Sequence, residues 1–152
     1  MANKISADPH DTVGAWAKRC YFAGRAAMEA ALRPYDLGTT QWYILNHLTN
    51  NGPTMQRDIL RLLEIERATL SVILSTLVRK GFVKQIPDRV DQRQKCLRIT
   101  NAGATLWASL PDLTFIHSVA FDGTDPADIA VAVRVLKNAT ARLDQHLKGD
   151  DT

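Results

Sequence analysis

The chain is 152 residues long, 45% hydrophobic and 23% charged, with 19 Lys and Arg against 16 Asp and Glu. That is one domain's length with enough apolar material for a core, which excludes a disordered or low-complexity chain. No apolar run approaches the roughly 18–20 residues of a membrane span, and the start, MANKISADPHD, lacks the apolar stretch of a leader, so the expected setting is the cytoplasm with no membrane partner.

From about residue 11 to 33, Val13, Trp16, Ala17, Cys20, Ala23, Ala27, Met28, Ala31 and Leu32 recur at three-four spacing, which predicts one long amphipathic helix ended by Pro34. Thr39 or Thr40 can cap a second helix to about Thr49, with Trp42, Leu45 and Leu48 inward, before the turn Asn50-Asn51-Gly52-Pro53. Thr54 is placed to cap a short third helix with Met55, Ile59, Leu62 and Leu63 apolar. A fourth runs from about Arg67 to Lys80 with Leu70, Ile73, Leu74, Leu77 and Val78 inward, and Gly81 supplies the left-handed residue that stops it. Two strands follow, about Phe82–Ile86 and Cys96–Thr100, joined by the charged tip Pro87–Lys95 and packing through Phe82, Val83, Ile86, Leu97 and Ile99. A fifth helix covers about Asn101–Phe121, interrupted or bent near Pro111, and a sixth opens at Asp125-Pro126 with Ile129, Val133, Leu136, Ala139, Leu143 and Leu147 at helical spacing.

Two short helices, the second followed by a hairpin with a charged tip, describe a winged helix-turn-helix, so the expected fold is mainly α with a small β-hairpin wing. Charge is concentrated there. Thr54 to Arg98 holds ten basic residues against five acidic ones, a net of +5 that leaves −2 for the rest of the chain. A polyanion-binding module needs such a concentration. The two cysteines, Cys20 and Cys96, have no paired spacing, the four histidines are scattered, and no nucleophile pattern, Gly-rich phosphate loop or metal-ligand spacing occurs. The expectation is therefore a protein that is not an enzyme and has no cofactor and no metal.

The stretch LEIERATLSVILSTLVRKGFVKQIPDRVDQRQKCLRITNAG resembles the recognition helix and wing of the MarR-type transcriptional regulators. The features that carry the resemblance are the Lys80-Gly81-Phe82-Val83 turn, the wing signature Asp91-x-Arg93 and the exit Leu97-x-Ile99-Thr100-x-x-Gly103. Leu37–Trp42 and Gly123–Asp128 extend it to the flanks. It departs at Glu66, where members often carry Ser or Thr. The resemblance implies one domain over 1–152, with a DNA-binding part at about 39–100 and dimerisation helices at about 11–34 and 101–148. It also implies a homodimer on a palindromic double-stranded operator, and most often a repressor. A winged helix that binds only proteins is the alternative of another class.

On the fourth helix the side away from the apolar stripe carries Arg67, Thr69, Ser71, Val72, Ser75 and Thr76, small groups that let a helix approach a major groove. Arg67 suits a bidentate contact with guanine, and Thr69, Ser71 and Ser75 suit phosphates or base edges. At the wing, Arg93 fits a minor groove, with Arg89 and Lys95 as further basic contacts, and Asp91 is expected to orient a basic neighbour rather than to touch DNA. Trp16, Arg19, Cys20 and Trp42 are the candidate effector residues: two indoles and small residues walling a flat pocket for an aromatic carboxylate or phenol, with Arg19, Arg25 or His10 as the anchor. Cys20, in Arg19-Cys20-Tyr21-Phe22-Ala23, also stands where the peroxide-sensing branch of the family has its reactive cysteine, which leaves thiol sensing open.

Overall fold

The computed structural model describes residues 8–149, so residues 1–7, on which much of the reading of the chain's start rests, and 150–152 lie outside it. Helix α1 is Val13–Leu32, followed by a 3-10 turn, Arg33–Tyr35, and by α2, Thr39–Asn51. Strand β1, Thr54–Met55, leads into α3, Gln56–Leu63, and α4, Arg67–Arg79. Strands β2, Val83–Pro87, and β3, Lys95–Ile99, precede α5, Asn101–Ser109, α6, Thr114–Phe121, and α7, Pro126–Gly149. The chain divides between Leu113 and Thr114 into two compact units. This is the winged helix-turn-helix fold.

Local chemistry explains most boundaries. Thr12 caps α1, its Oγ1 accepting from the Ala15 N–H at 3.1 Å, and Asp125 accepts from the Ala127 N–H at 2.9 Å where α7 begins with Pro126. The end of α4 is a Schellman arrangement: the Phe82 N–H donates to the Leu77 carbonyl and the Gly81 N–H to that of Val78, with Gly81 at φ 81°. The residue before a proline is pushed out of the helical region, and Leu110, extended at ψ 149°, ends α5 ahead of Pro111. The helix expected over 101–121 is thus interrupted near Pro111, as expected, and forms α5 and α6.

The first unit has one core, built from Leu32, Leu37, Ile44, Leu45, Leu48, Ile59, Leu70, Leu74, Leu77, Val83 and Leu97. The three-stranded antiparallel sheet has the order β1-β3-β2, with Thr54 opposite Leu97 and Val83 opposite Ile99. Four expectations need correction. Thr54 belongs to a strand and does not cap α3; the N-cap is Met55. The N-cap of α2 is Gly38, whose N–H donates to the Gln41 side chain at 2.9 Å, while Thr39 is buried within the first turn. Ile86 is exposed because side chains alternate along a strand and Val83 holds the inward parity. Leu62 and Val78 also lie at the surface, on the flanks of the stripes that bury Ile59 and Leu74.

In the second unit α7 presents Ile129, Val133, Leu136, Thr140, Leu143 and Leu147, a 4-3-4-3-4 spacing that follows one seam of a helix. Val133, Leu136, Leu143 and Leu147 are all exposed in the single chain.

Candidate nucleic-acid interface

The helix α4 is held from below by Leu70, Leu74 and Leu77, each at most 1% exposed. At about 100° of rotation per residue, the direction opposite these leucines is taken by Ala68, Val72, Ser75 and Arg79, all exposed. Arg67 and Ser71 fall on one flank of that face with Ser75; Thr69 falls on the other with Thr76. The expected DNA-binding residues of α4 are therefore all accessible, Thr69 on the far side from Arg67 and Ser71. Glu66 is the N-cap and makes no side-chain hydrogen bond to the helix start. The turn joining α3 to α4 passes through Glu64 in the left-handed region, at φ 51°.

The wing tip is ordered by its own acids. Asp91 accepts on one carboxylate oxygen from the Arg93 N–H at 3.1 Å and from the Arg93 Nε at 3.4 Å. The Asp88 carboxylate accepts from the Asp91 N–H at 3.1 Å, and the backbone closes through Asp88 N–H to the Gln94 carbonyl at 2.9 Å. These bonds leave the Arg93 side chain 92% exposed on a loop tied by its own hydrogen bonds. Arg89 and Lys95 are exposed beside it. Along the strands Lys84 stands opposite Arg98, so a pair of like charges faces outward from the sheet.

Two positioning contacts carried no sequence signal. Gln85 donates from its amide to the Gln56 side chain at 3.1 Å, joining the wing to the start of α3 across 29 residues. Lys80 donates to the Asp36 carbonyl at 2.7 Å and to its carboxylate at 2.9 Å, fastening the end of α4 to the connection between α1 and α2. The hydrogen bond from the Lys80 ammonium, reinforced by its charge, holds the Asp36 carboxyl below the usual carboxylate range.

The candidate effector residues are not brought together in the single chain as the sequence suggests. Trp42 packs against Trp107 of α5, with ring centroids 5.4 Å apart and planes tilted by 42°, and meets Tyr43 edge-on. Trp16 is instead 56% exposed and donates from its indole nitrogen to Asp11 at 2.8 Å. The Arg19 guanidinium lies over the Trp16 ring at 4.8 Å and donates to the His10 carbonyl at 2.7 Å. Cys20 is exposed on the same helix.

A sequence model of the MarR family matches residues 35–94, the stretch from the end of the 3-10 turn through the wing tip that has just been built up. Over this stretch the chain resembles the MarR family. It is 31% identical over 91 residues to the transcriptional activatory protein BadR of Rhodopseudomonas palustris, a stretch covering 57% of this chain and 49% of BadR. It is 25% identical over 99 residues to the HTH-type transcriptional repressor NicR of Pseudomonas putida, over 65% of this chain and 63% of NicR. The chain thus spans about half to two thirds of these relatives. Among solved structures it resembles a mutant MarR of E. coli complexed with operator DNA, with a TM-score of 0.77 and 19% identity over 88% of this chain and 99% of that one. Bordetella bronchiseptica BpsR, in a structure concerned with regulation of its DNA binding by 6-hydroxynicotinic acid, gives a TM-score of 0.75 and 22% identity over 88% of this chain and 96% of BpsR. At such identities the two structural likenesses establish the fold of this chain.

Proposed function

We propose that this chain is a MarR-type regulator: a cytoplasmic, dimeric, sequence-specific DNA-binding repressor that a small aromatic ligand releases from a palindromic operator. The observation that carries the reading is the pairing of an α4 face of short exposed side chains with a wing whose Asp91 holds Arg93 outward, in the segment of net charge +5. In this reading α4 enters the major groove. Arg67 meets a guanine edge, and Thr69, Ser71 and Ser75 bond to phosphates or bases. Arg93, with Arg89 and Lys95, takes the narrow minor groove or its phosphates, and Asp91 positions Arg93. The exposed seam of α7 and the exposed Val13, Trp16, Tyr21 and Phe22 of α1 are the faces a second copy would cover.

The effector part of the proposal rests on the aromatic residues of α1, α2 and α5 and on relatives. NicR is a repressor, and BpsR has its DNA binding regulated by an aromatic acid. Trp16, Arg19, Cys20 and Trp42 remain the proposed ligand residues, completed by the partner subunit, with Trp107 added as the platform under Trp42. A carboxylate suits Arg19.

Selection of genomic fragments on the purified protein, followed by footprinting, tests the reading. The expected result is an imperfect palindrome with half-sites about one helical turn, roughly 10 base pairs, apart, and affinity that falls steeply with salt. Failure to enrich any duplex, or binding indifferent to salt, would point to the protein-interaction alternative.

A further inference from the structure

Val72 sits near the middle of the exposed face of α4 and is 68% exposed. A solvated helix face rarely needs a β-branched apolar residue there. Ala68 lies one turn before it and Thr76 one turn after it. The Thr76 hydroxyl donates to the Val72 carbonyl at 3.3 Å, so its proton is committed to the helix's own backbone rather than offered to a neighbour. The remaining groups of this central stretch are the hydroxyls of Ser71 and Ser75, while the long cationic side chains, Arg67 and Arg79, stand at the two ends. The centre of α4 therefore has no side chain able to make a bidentate contact with guanine or adenine.

In a major groove only thymine offers an apolar group, its C5-methyl. We propose that Val72, with Ala68, reads a thymine methyl at the centre of each half-site, so that this protein's specificity is set there by an apolar contact. The inference rests on the DNA-binding reading given above and adds the base class that α4 selects. Charge favours a duplex as the occupant of this face. Arg67 and Arg79 flank Val72, and a second copy docked on the same surface would bring the same cations against them, whereas phosphates on both sides of a groove would meet them.

The test uses the full chain and duplexes selected by it from a random pool. Thymines in one half-site are replaced singly by deoxyuridine, which keeps every hydrogen-bonding group and lacks only the methyl. One position is expected to weaken wild-type binding about four-fold, the worth of roughly one buried methyl. Val72→Ala should bind the thymine duplex about as weakly as the wild type binds the uracil one, and should not distinguish the two. Equal wild-type affinity for every uracil duplex would overturn the inference, as would a Val72→Ala protein that discriminates as well as the wild type. A pool from which nothing is enriched would instead overturn the DNA-binding reading on which it stands.

Discussion

Glycine at 103 is the residue whose need is most sharply defined. Thr100 donates from its N–H to the Phe82 carbonyl at 3.0 Å and caps α5 by accepting from the Gly103 N–H at 3.0 Å. Its hydroxyl also donates to the Gly81 carbonyl. The first turn of α5 is thereby drawn onto the end of α4 and the start of β2, so close that a Cβ at 103 would collide with the Phe82 carbonyl oxygen and lie 2.8 Å from Ile99 Cγ1. That oxygen cannot retreat without loosening its bond from Thr100. Gly103→Ala is therefore expected to destabilise the protein by about 1–3 kcal/mol, the usual cost of overpacking, although alanine is the better helix former by up to about 1 kcal/mol. Urea denaturation measures it, and an unchanged or higher midpoint would mean that the strand and helix ends separate freely. Gly81 and Gly103 also separate what the sequence makes legible from what it hides. Gly81 follows a local rule, the left-handed residue after a helix, and φ 81° is what that rule predicts. Gly103 could be read only as part of a resemblance, because its cause is a meeting of segments about twenty residues apart. Trp107 and the Asp36–Lys80 tie were hidden for the same reason.

At the scale of elements, periodic segments were legible and short or parity-dependent features were not. The apolar spacing of α1, α2 and α4 located those helices, and β2 and β3 fell one residue from their expected bounds. A two-residue strand such as β1 has no period to detect, and Thr54 looked like a cap because threonine serves both purposes. The charged tip was legible as a wing, and its internal bonds now give a graded prediction. Arg93→Ala should weaken operator binding across many sequences and reduce the slope of log affinity against log salt by about 1, the signature of one lost phosphate or minor-groove contact. Because Arg93 is 92% exposed, the stability of the free protein should stay within about 0.5 kcal/mol of wild type. Asp91→Ala removes the acceptor of both the Arg93 N–H and its Nε, so it should weaken binding in the same sequence-independent way even though it deletes a negative charge from the interface. Tighter binding by Asp91→Ala would show that the carboxylate acts by repulsion and not by positioning.

Over the whole molecule, much apolar surface is left for another chain. Of the 20 residues of α1 only Leu32 is buried, while Trp16, Cys20, Tyr21 and Phe22 are exposed, and α7 exposes Val133, Leu136, Leu143 and Leu147 of its seam. A polar-out helix would not carry these residues, and a partner copy of the same chain has matching faces to offer. In the dimer proposed above the effector residues would come together only across subunits, since Trp16 and Trp42 do not meet within one chain. The last prediction separates the two sensing mechanisms that converge on this helix. A thiol sensor needs a cation or acid–base partner to stabilise the thiolate. The nearest candidate in sequence, Arg19, is already placed over the Trp16 ring and bonded to the His10 carbonyl. The same placement, an indole face next to a guanidinium, suits an aromatic carboxylate. Such a ligand shifts DNA binding only by its difference in affinity between the binding-competent and incompetent forms, so release must be accompanied by weaker ligand binding in the operator complex. The measurement is operator affinity of wild-type and Cys20→Ser proteins, each with benzoate or 6-hydroxynicotinic acid and, separately, with an organic hydroperoxide. Aromatic acid is expected to lower affinity equally in both proteins, and hydroperoxide to change neither. Release by hydroperoxide in the wild type that disappears in Cys20→Ser would make Cys20 the sensor and overturn the ligand reading.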